Sequence, residues 1–220
     1  MRINKFLALN LNISRRDADK LIEKKEININ GNYAKLGELV GDNDVVSYKN
    51  QIINSVKDHK YYKFYKPKNY VSSRSSQGNS KTIYELINNK NLKYSGRLDK
   101  DSEGLMLLST DGDWLNNNSH PSKELVKKYI VTTNLEEIDI TKFKKSIIDK
   151  NENLNIYSIK KVSKYEYLVI LKTGKNREIR NICKYFSWNI VKLIRIQYGP
   201  YKLGNLKEGK IEEIKVIRDA

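Results

Sequence analysis

The sequence predicts an α+β protein in two parts, and three observations carry that reading. Apolar residues near the start recur at helical spacing, an alternating stretch around an Asn-Gly pair follows them, and the later chain contains strand-like aromatic and aliphatic runs. With 220 residues, 39% of them hydrophobic and only three prolines, the chain can bury a real core although 31% of it is charged.

Taken in order, Ile3, Phe6 and Leu7 fall on one face of a first helix. A second helix starts at Ser14, where Ser14-x-x-Asp17 resembles a capping box and Ala18, Leu21 and Ile22 continue an apolar face. Ile27 to Asn32 alternates and contains Asn30-Gly31, a turn-forming pair because both residues tolerate positive φ; Gly41 to Tyr48 reads as a turn followed by a strand. The stretch 51–60 is polar with scattered aliphatics and reads as a linker between a head at 1–50 and a body at 61–220. The body opens with Tyr61–Tyr65, an aromatic strand that Lys66-Pro67 should end or displace. Ser72–Ser80 is a polar loop, and Thr82–Asn88 a short helix burying Ile83, Leu86 and Ile87. A charged loop from Gly96 ends at Gly104, and Leu105–Leu108 behind it is a buried strand able to hold that loop rigidly. Farther on, Ile179, Ile182, Cys183 and Phe186 share one helical face while Arg177, Arg180 and Lys184 share another, a basic stripe fit for an acid or a phosphate.

Charge narrows the partners. The chain holds 42 Lys and Arg against 26 Asp and Glu, a formal +16, of which the first 50 residues supply only +2. Such an imbalance concentrates polyanions, and nucleic acid is the leading one. The longest apolar runs fall far short of a bilayer span, and the N-terminus reaches Asp17 and Asp19 without a signal-type apolar core, so a soluble, cytoplasmic protein is expected. One cysteine forms no internal disulfide, and two histidines with one cysteine make no ordinary zinc site. Asp99-x-Asp101-x-Glu103-Gly104 opens like an EF-hand calcium loop, but its twelfth position is Thr110 where a bidentate glutamate is needed, and the apolar run between supplies no ligands.

A family resemblance extends this reading. Ile3–Leu7, Ser14–Ile22, Ile29-Asn30-Gly31, Ala34–Gly37 and Gly41-Asp42 together resemble the S4 RNA-binding domain over nearly all of the first 48 residues. Arg15 and Arg16 would then sit at a helix N-terminus whose free N–H groups already favour phosphate, and with Lys5 and Lys20 they are the expected RNA contacts. The segment Gly96-Arg97-Leu98-Asp99 through Gly112 resembles the central motif of RNA pseudouridine synthases, in particular the branch that joins an S4 head to a catalytic body and modifies ribosomal RNA. The resemblance implies a mixed, largely antiparallel sheet flanked by helices. It makes Asp99 the catalytic aspartate and Arg97 the arginine that occupies the space a displaced uridine leaves in its stack. Ser119-His120-Pro121 with Lys127–Val131 resembles the segment whose tyrosine, here Tyr129, lies against the target base. Leu171–Arg180, followed by Val191–Pro200, resembles the third family motif: Arg180 is implied to pair with Asp99, Arg177 to contact substrate, and Ile179 to exclude water. Glu178 and Asn181 depart from it, standing where Gln and Arg are usual. The implied reaction breaks the C–N glycosidic bond of uridine and rejoins C5 to the same ribose carbon with no change of oxidation state, so no cofactor and no metal are expected. The partner implied is ribosomal RNA or a ribosomal subunit precursor; apart from the resemblance, nothing in the sequence suggests an interface between copies, so a monomer is expected. Asn176-Arg177-x-x-Arg180 and Leu203–Leu206 look more like the large-subunit branch than the small-subunit one.

Overall fold

In a computed structural model, which describes residues 1–54, 59–76, 78–144, 147–149 and 152–217, the chain divides into two compact units, Met1–His59 and Lys60–Ala220. The first unit opens with helices α1 (Ile3–Asn10) and α2 (Arg15–Glu23), followed by strands β1 (Ile27–Ile29), β2 (Asn32–Tyr33), β3 (Val46–Tyr48) and β4 (Gln51–Ile52). Ser14 caps α2 by accepting the Asp17 N–H at 3.0 Å, while Asp17 takes the serine hydroxyl at 2.6 Å. Asn30 and Gly31 turn the β1–β2 hairpin with φ of 51° and 84°, the left-handed pair that a two-residue turn requires. The sheet order is β2-β1-β3-β4, all antiparallel. Ile3, Leu7, Ala18 and Ile27 are fully buried at the centre of this unit's own core. The stretch 51–60 is therefore not all linker: β4 pairs with β3 and Ile53 packs on the core, while residues 55–58 lie outside the described ones.

The second unit is built on β5 (Tyr61–Lys66), β6 (Tyr70–Val71), β7 (Lys81–Thr82), β8 (Lys93–Ser95), β9 (Glu103–Ser109), helix α3 (Gly112–Asn117), β10 (Lys127–Thr133), β11 (Ile147–Asp149), β12 (Glu152–Leu154), β13 (Ser158–Lys161), β14 (Glu166–Leu171), helix α4 (Glu178–Tyr185), β15 (Ile190–Tyr198), β16 (Tyr201–Lys202) and β17 (Ile211–Glu213). Nine of these strands form one sheet in the order β13-β14-β10-β15-β9-β5-β17, with β8 beside β9 and β16 beside β15. Every pairing in it is antiparallel except β9 with β15. The sheet is mixed and largely antiparallel, and with its helices it makes the molecule α+β.

β9 is buried at all seven positions and lies between two cores. Met106 and Leu108 join the cluster that includes α4 through Ile179, Ile182 and Cys183; Leu105 and Leu107 join the opposite cluster with Trp114 and Leu115 of α3. A strand covered on both faces reads as continuous apolar sequence, which is what Leu105–Leu108 is. The expected helix at 82–88 is a single 3-10 turn, Ile83–Glu85, with Thr82 and Glu85 forming a capping box; Ile83 and Ile87 are buried as expected, but Leu86 is on the surface because so short a helix has no continuous inner face. Tyr61–Tyr65 forms its strand and Lys66 extends it by one residue. The loop expected at 72–80 has no regular secondary structure before Ser80 at its described positions; Gln77 lies outside them.

Candidate active site

Arg97, Asp99, Tyr129, Arg177, Ile179 and Arg180, the six residues expected to act on substrate, line one cavity of about 630 Å³ in the second unit. They come from the loop before β9, from β10 and from the start of α4. Tyr129 and Ile179 are buried, Asp99 is partly open with 30% of its side chain exposed, and Arg97 is exposed at the cavity.

The loop carrying Asp99 is tied down along its length. Ser72 Oγ donates to the Leu98 carbonyl at 2.8 Å and accepts its N–H at 3.2 Å. The Asn69 N–H donates to the Lys100 carbonyl at 2.7 Å, and the Ser102 N–H to that of Asp99 at 3.1 Å. Beneath the loop lies Lys66, fully buried, whose Nζ donates to the carbonyls of Ser102 at 2.6 Å, Pro67 at 2.9 Å and Lys100 at 3.4 Å. Burial pulls the Lys66 ammonium down to about 8, against the carboxylates of Glu103, Asp101 and Asp99, which hold its proton on. Three carbonyls converging on one buried cation fix the backbone on both sides of Asp101.

The arginines divide their partners differently from the expected pairing. Arg177 lies 3.7 Å from Asp99 and forms a two-pronged pair with Asp101, Nη1 to Oδ1 at 3.2 Å and Nη2 to Oδ2 at 3.0 Å. Arg180 is directed to the same loop one residue farther on: its Nη2 donates to the Asp101 carbonyl at 2.7 Å and to Ser102 Oγ at 3.2 Å, and its Nε stands 3.4 Å from the Asp101 carboxylate. The expected Arg180–Asp99 pair is thus replaced by Arg177–Asp99, with Arg180 on Asp101. The cause is local. Arg177, the N-cap of α4, adopts a left-handed φ of 48°, and its guanidinium reaches across the loop to both carboxylates. Burial raises the Asp101 carboxyl, but the Arg177 hydrogen bond and the Arg180 charge outweigh it and hold the group below its usual range. Glu178, buried, accepts the Thr173 hydroxyl at 2.7 Å and the Lys175 N–H at 3.2 Å, so its charge fastens the loop ahead of α4.

Three further residues belong to this site and sequence reasoning missed their part in it. Lys66 read only as the end of a strand before proline. Lys127 lines the cavity, donates to the Leu125 carbonyl at 3.1 Å and stands 5.4 Å over the Tyr198 ring; burial and the neighbouring Arg195 bring it down to about 8, against Glu178. Arg195 also lines it and is 2% exposed. A basic residue inside the strand pattern of β15 was the available signal for it. The expected RNA contacts of the first unit lie at its surface: Arg15, Arg16 and Lys20 on α2 are exposed and Lys5 on α1 is half-buried.

The chain belongs to the RNA pseudouridylate synthase family, whose pattern it matches over residues 60–185, and it carries an S4 domain over residues 1–46. It is accordingly an RNA pseudouridine synthase, an isomerase. An uncharacterized RNA pseudouridine synthase of Borreliella burgdorferi is 34% identical to it, covering 99% of this chain and 91% of the relative. The dual-specificity RNA pseudouridine synthase RluF of Escherichia coli is 28% identical over 97% of this chain and 75% of its own length. A crystal structure of a pseudouridylate synthase shares the fold with a TM-score of 0.68 at 23% identity, covering 98% of this chain and 96% of that one.

Proposed function

We propose that this enzyme isomerises a specific uridine of ribosomal RNA, in the large subunit, with Asp99 as the group that acts on the sugar. The observation that carries the reading is the meeting of Arg97, Asp99, Tyr129, Ile179 and the two α4 arginines around one cavity, although they stand as far as 83 residues apart in sequence. The Asp99 carboxylate, oriented by its loop and by Arg177, attacks or stabilises the electron-poor ribose carbon, or takes a sugar proton, as the bond to N1 breaks. Arg180 holds the Asp101–Ser102 backbone so that Asp99 does not swing away. Arg97, exposed beside it, takes the place of the extruded base, since a planar cation stacks where a base has been. Ile179 and Leu98 narrow the cavity against water that would trap a detached uracil. Arg15, Arg16, Lys5 and Lys20 hold the RNA through its phosphates. The +14 carried beyond residue 50 supports a polyanionic partner on the catalytic unit as well, and a cytoplasmic setting accords with ribosomal RNA as substrate.

Mapping pseudouridines across both ribosomal RNAs in a deletion strain complemented with native protein or with Asp99→Asn tests the reading. One large-subunit position is expected to lose its modification in the deletion, to regain it with native protein, and to remain uridine with Asp99→Asn, a fall of ~10³-fold or more in rate. Loss at a small-subunit position instead would move the substrate while keeping the chemistry. An unchanged map in all strains would overturn the assignment.

A further inference from the structure

Arg195 is a buried cation with an unsatisfied donor. Its Nε donates to the Leu105 carbonyl at 2.8 Å, its guanidinium lies 4.7 Å from the Tyr198 ring centre, and its Nη2 has no hydrogen-bond partner among the described residues. Leaving such a donor unpaired in a buried place costs stability, and a native chain keeps one where the group has work to do. Its backbone is also held closely. A Cβ added at Gly104 would lie 2.4 Å from the Arg195 carbonyl oxygen and 2.6 Å from its nitrogen, so β9 and β15 touch at this point as only glycine allows. Across the sheet on the other side, Arg195 is the register partner of Tyr129, and both residues line the cavity.

Resting on the reading above, we infer that Arg195 is a positioning residue for Tyr129: it sets the direction of the tyrosine hydroxyl, so that the phenol donates its proton in a hydrogen bond to a carbonyl oxygen of the bound pyrimidine. The reason is donor arithmetic. A guanidinium has five N–H donors and no acceptor, so a hydroxyl beside it presents oxygen to the cation and turns its hydrogen outward, here to the cavity. When the C1′–N1 bond breaks, its electron pair stays with the uracil ring and spreads onto the two carbonyl oxygens. A preset O–H backed by a buried positive charge favours that state more than it favours bound uridine, and the preference lowers the barrier. Burial raises the Tyr129 hydroxyl above its ordinary range while Arg195 opposes the rise, leaving at neutral pH a phenol that can donate.

The test is a double-mutant cycle on the full chain with Arg195→Lys, Tyr129→Phe and the pair, using an unmodified transcript of its target ribosomal RNA region tritiated at uridine C5 and following tritium release in a single turnover. Arg195→Lys is expected to slow native enzyme ~10–100-fold with RNA affinity unchanged, and to slow Tyr129→Phe less than about threefold. Losses that multiply, or no loss in the native background, would overturn the inference. Should Arg195→Lys fail to fold, transcripts with 2-thiouridine or 4-thiouridine at the target decide it, because sulfur is a weaker acceptor: at least one must slow the native enzyme and leave Tyr129→Phe indifferent, and equal sensitivity of the two proteins would refute it. A native enzyme inactive on every ribosomal transcript would instead refute the function on which the inference rests.

Discussion

The two units of this chain use positive charge in opposite ways. In the first, Arg15, Arg16 and Lys20 stand in water on a short helix, over a small core of residues such as Ile3, Leu7 and Ala18. In the second, Lys66 and Arg195 lie under the surface and Lys127 is half-buried, each held by a carbonyl oxygen and two of them by the Tyr198 ring. An exposed cation acts at a distance and is screened by salt; a buried one acts at contact, and its loss leaves acceptors unpaired. In the proposed function, charge at the surface is the part that gathers RNA, and charge inside the part that fixes the geometry in which a nucleotide reacts. Net charge alone does not separate the two uses.

Substitutions that strike the interior should have the larger effects. Gly104→Ala, which forces a side chain against the Arg195 backbone at a φ of +107°, is expected to cost ~3 kcal/mol or more and to abolish activity; chemical denaturation of both proteins reads the loss. Lys66→Met leaves three loop carbonyls without their donor and is expected to lower kcat ~10²-fold at nearly unchanged RNA affinity, with a stability loss of ~1–3 kcal/mol, as single-turnover kinetics beside thermal unfolding will tell. On the first unit, Arg15→Ala with Arg16→Ala should weaken rRNA binding only ~10-fold, reduce the slope of log affinity against log salt by about 2, and leave kcat alone; a native slope would remove them as contacts. The smallest effect carries a sign. Lys127 keeps its proton only up to about pH 8 when folded against 10.5 when unfolded, so below pH 8 its buried charge opposes folding, and stability recovers as pH rises toward 10.5 because over that range the unfolded chain binds the extra proton. Lys127→Met should therefore raise Tm by a few degrees at neutral pH, ~1–2 kcal/mol after screening, and bring no gain near pH 10.5.

Much of this arrangement was legible before any coordinates. The Asn30-Gly31 turn, the Ser14 cap and the Leu105–Leu108 strand follow from local preferences, and the structure contains each of them. The membership of the cavity was legible because the family motifs name residue types at characteristic spacings. What was not legible is which arginine meets which carboxylate. Asp99 and Asp101 point across the loop from alternate positions while Arg177 and Arg180 sit one turn apart, and spacing permits either match. Only the left-handed backbone at Arg177, an uncommon choice for a long side chain, selects the observed one. Lys66 was hidden for a related reason. A lysine beside a proline usually marks a solvated end, and nothing local reveals that the carbonyls of Lys100 and Ser102 join that of Pro67 around it.

The strand that bears the close glycine contact is apolar on both sides, and this changes what keeps it in place. Sliding β9 by one residue would exchange the contents of the two cores yet leave both of them filled with aliphatic groups, so oil-like preference cannot index the strand. Position 104, bare of a side chain, acts as a notch: the one bare residue within β9 seats against β15. Since Asp99 lies five residues upstream on the same piece of backbone, the notch also sets how far that carboxylate reaches into the cavity, as a ruler's zero sets every mark along it.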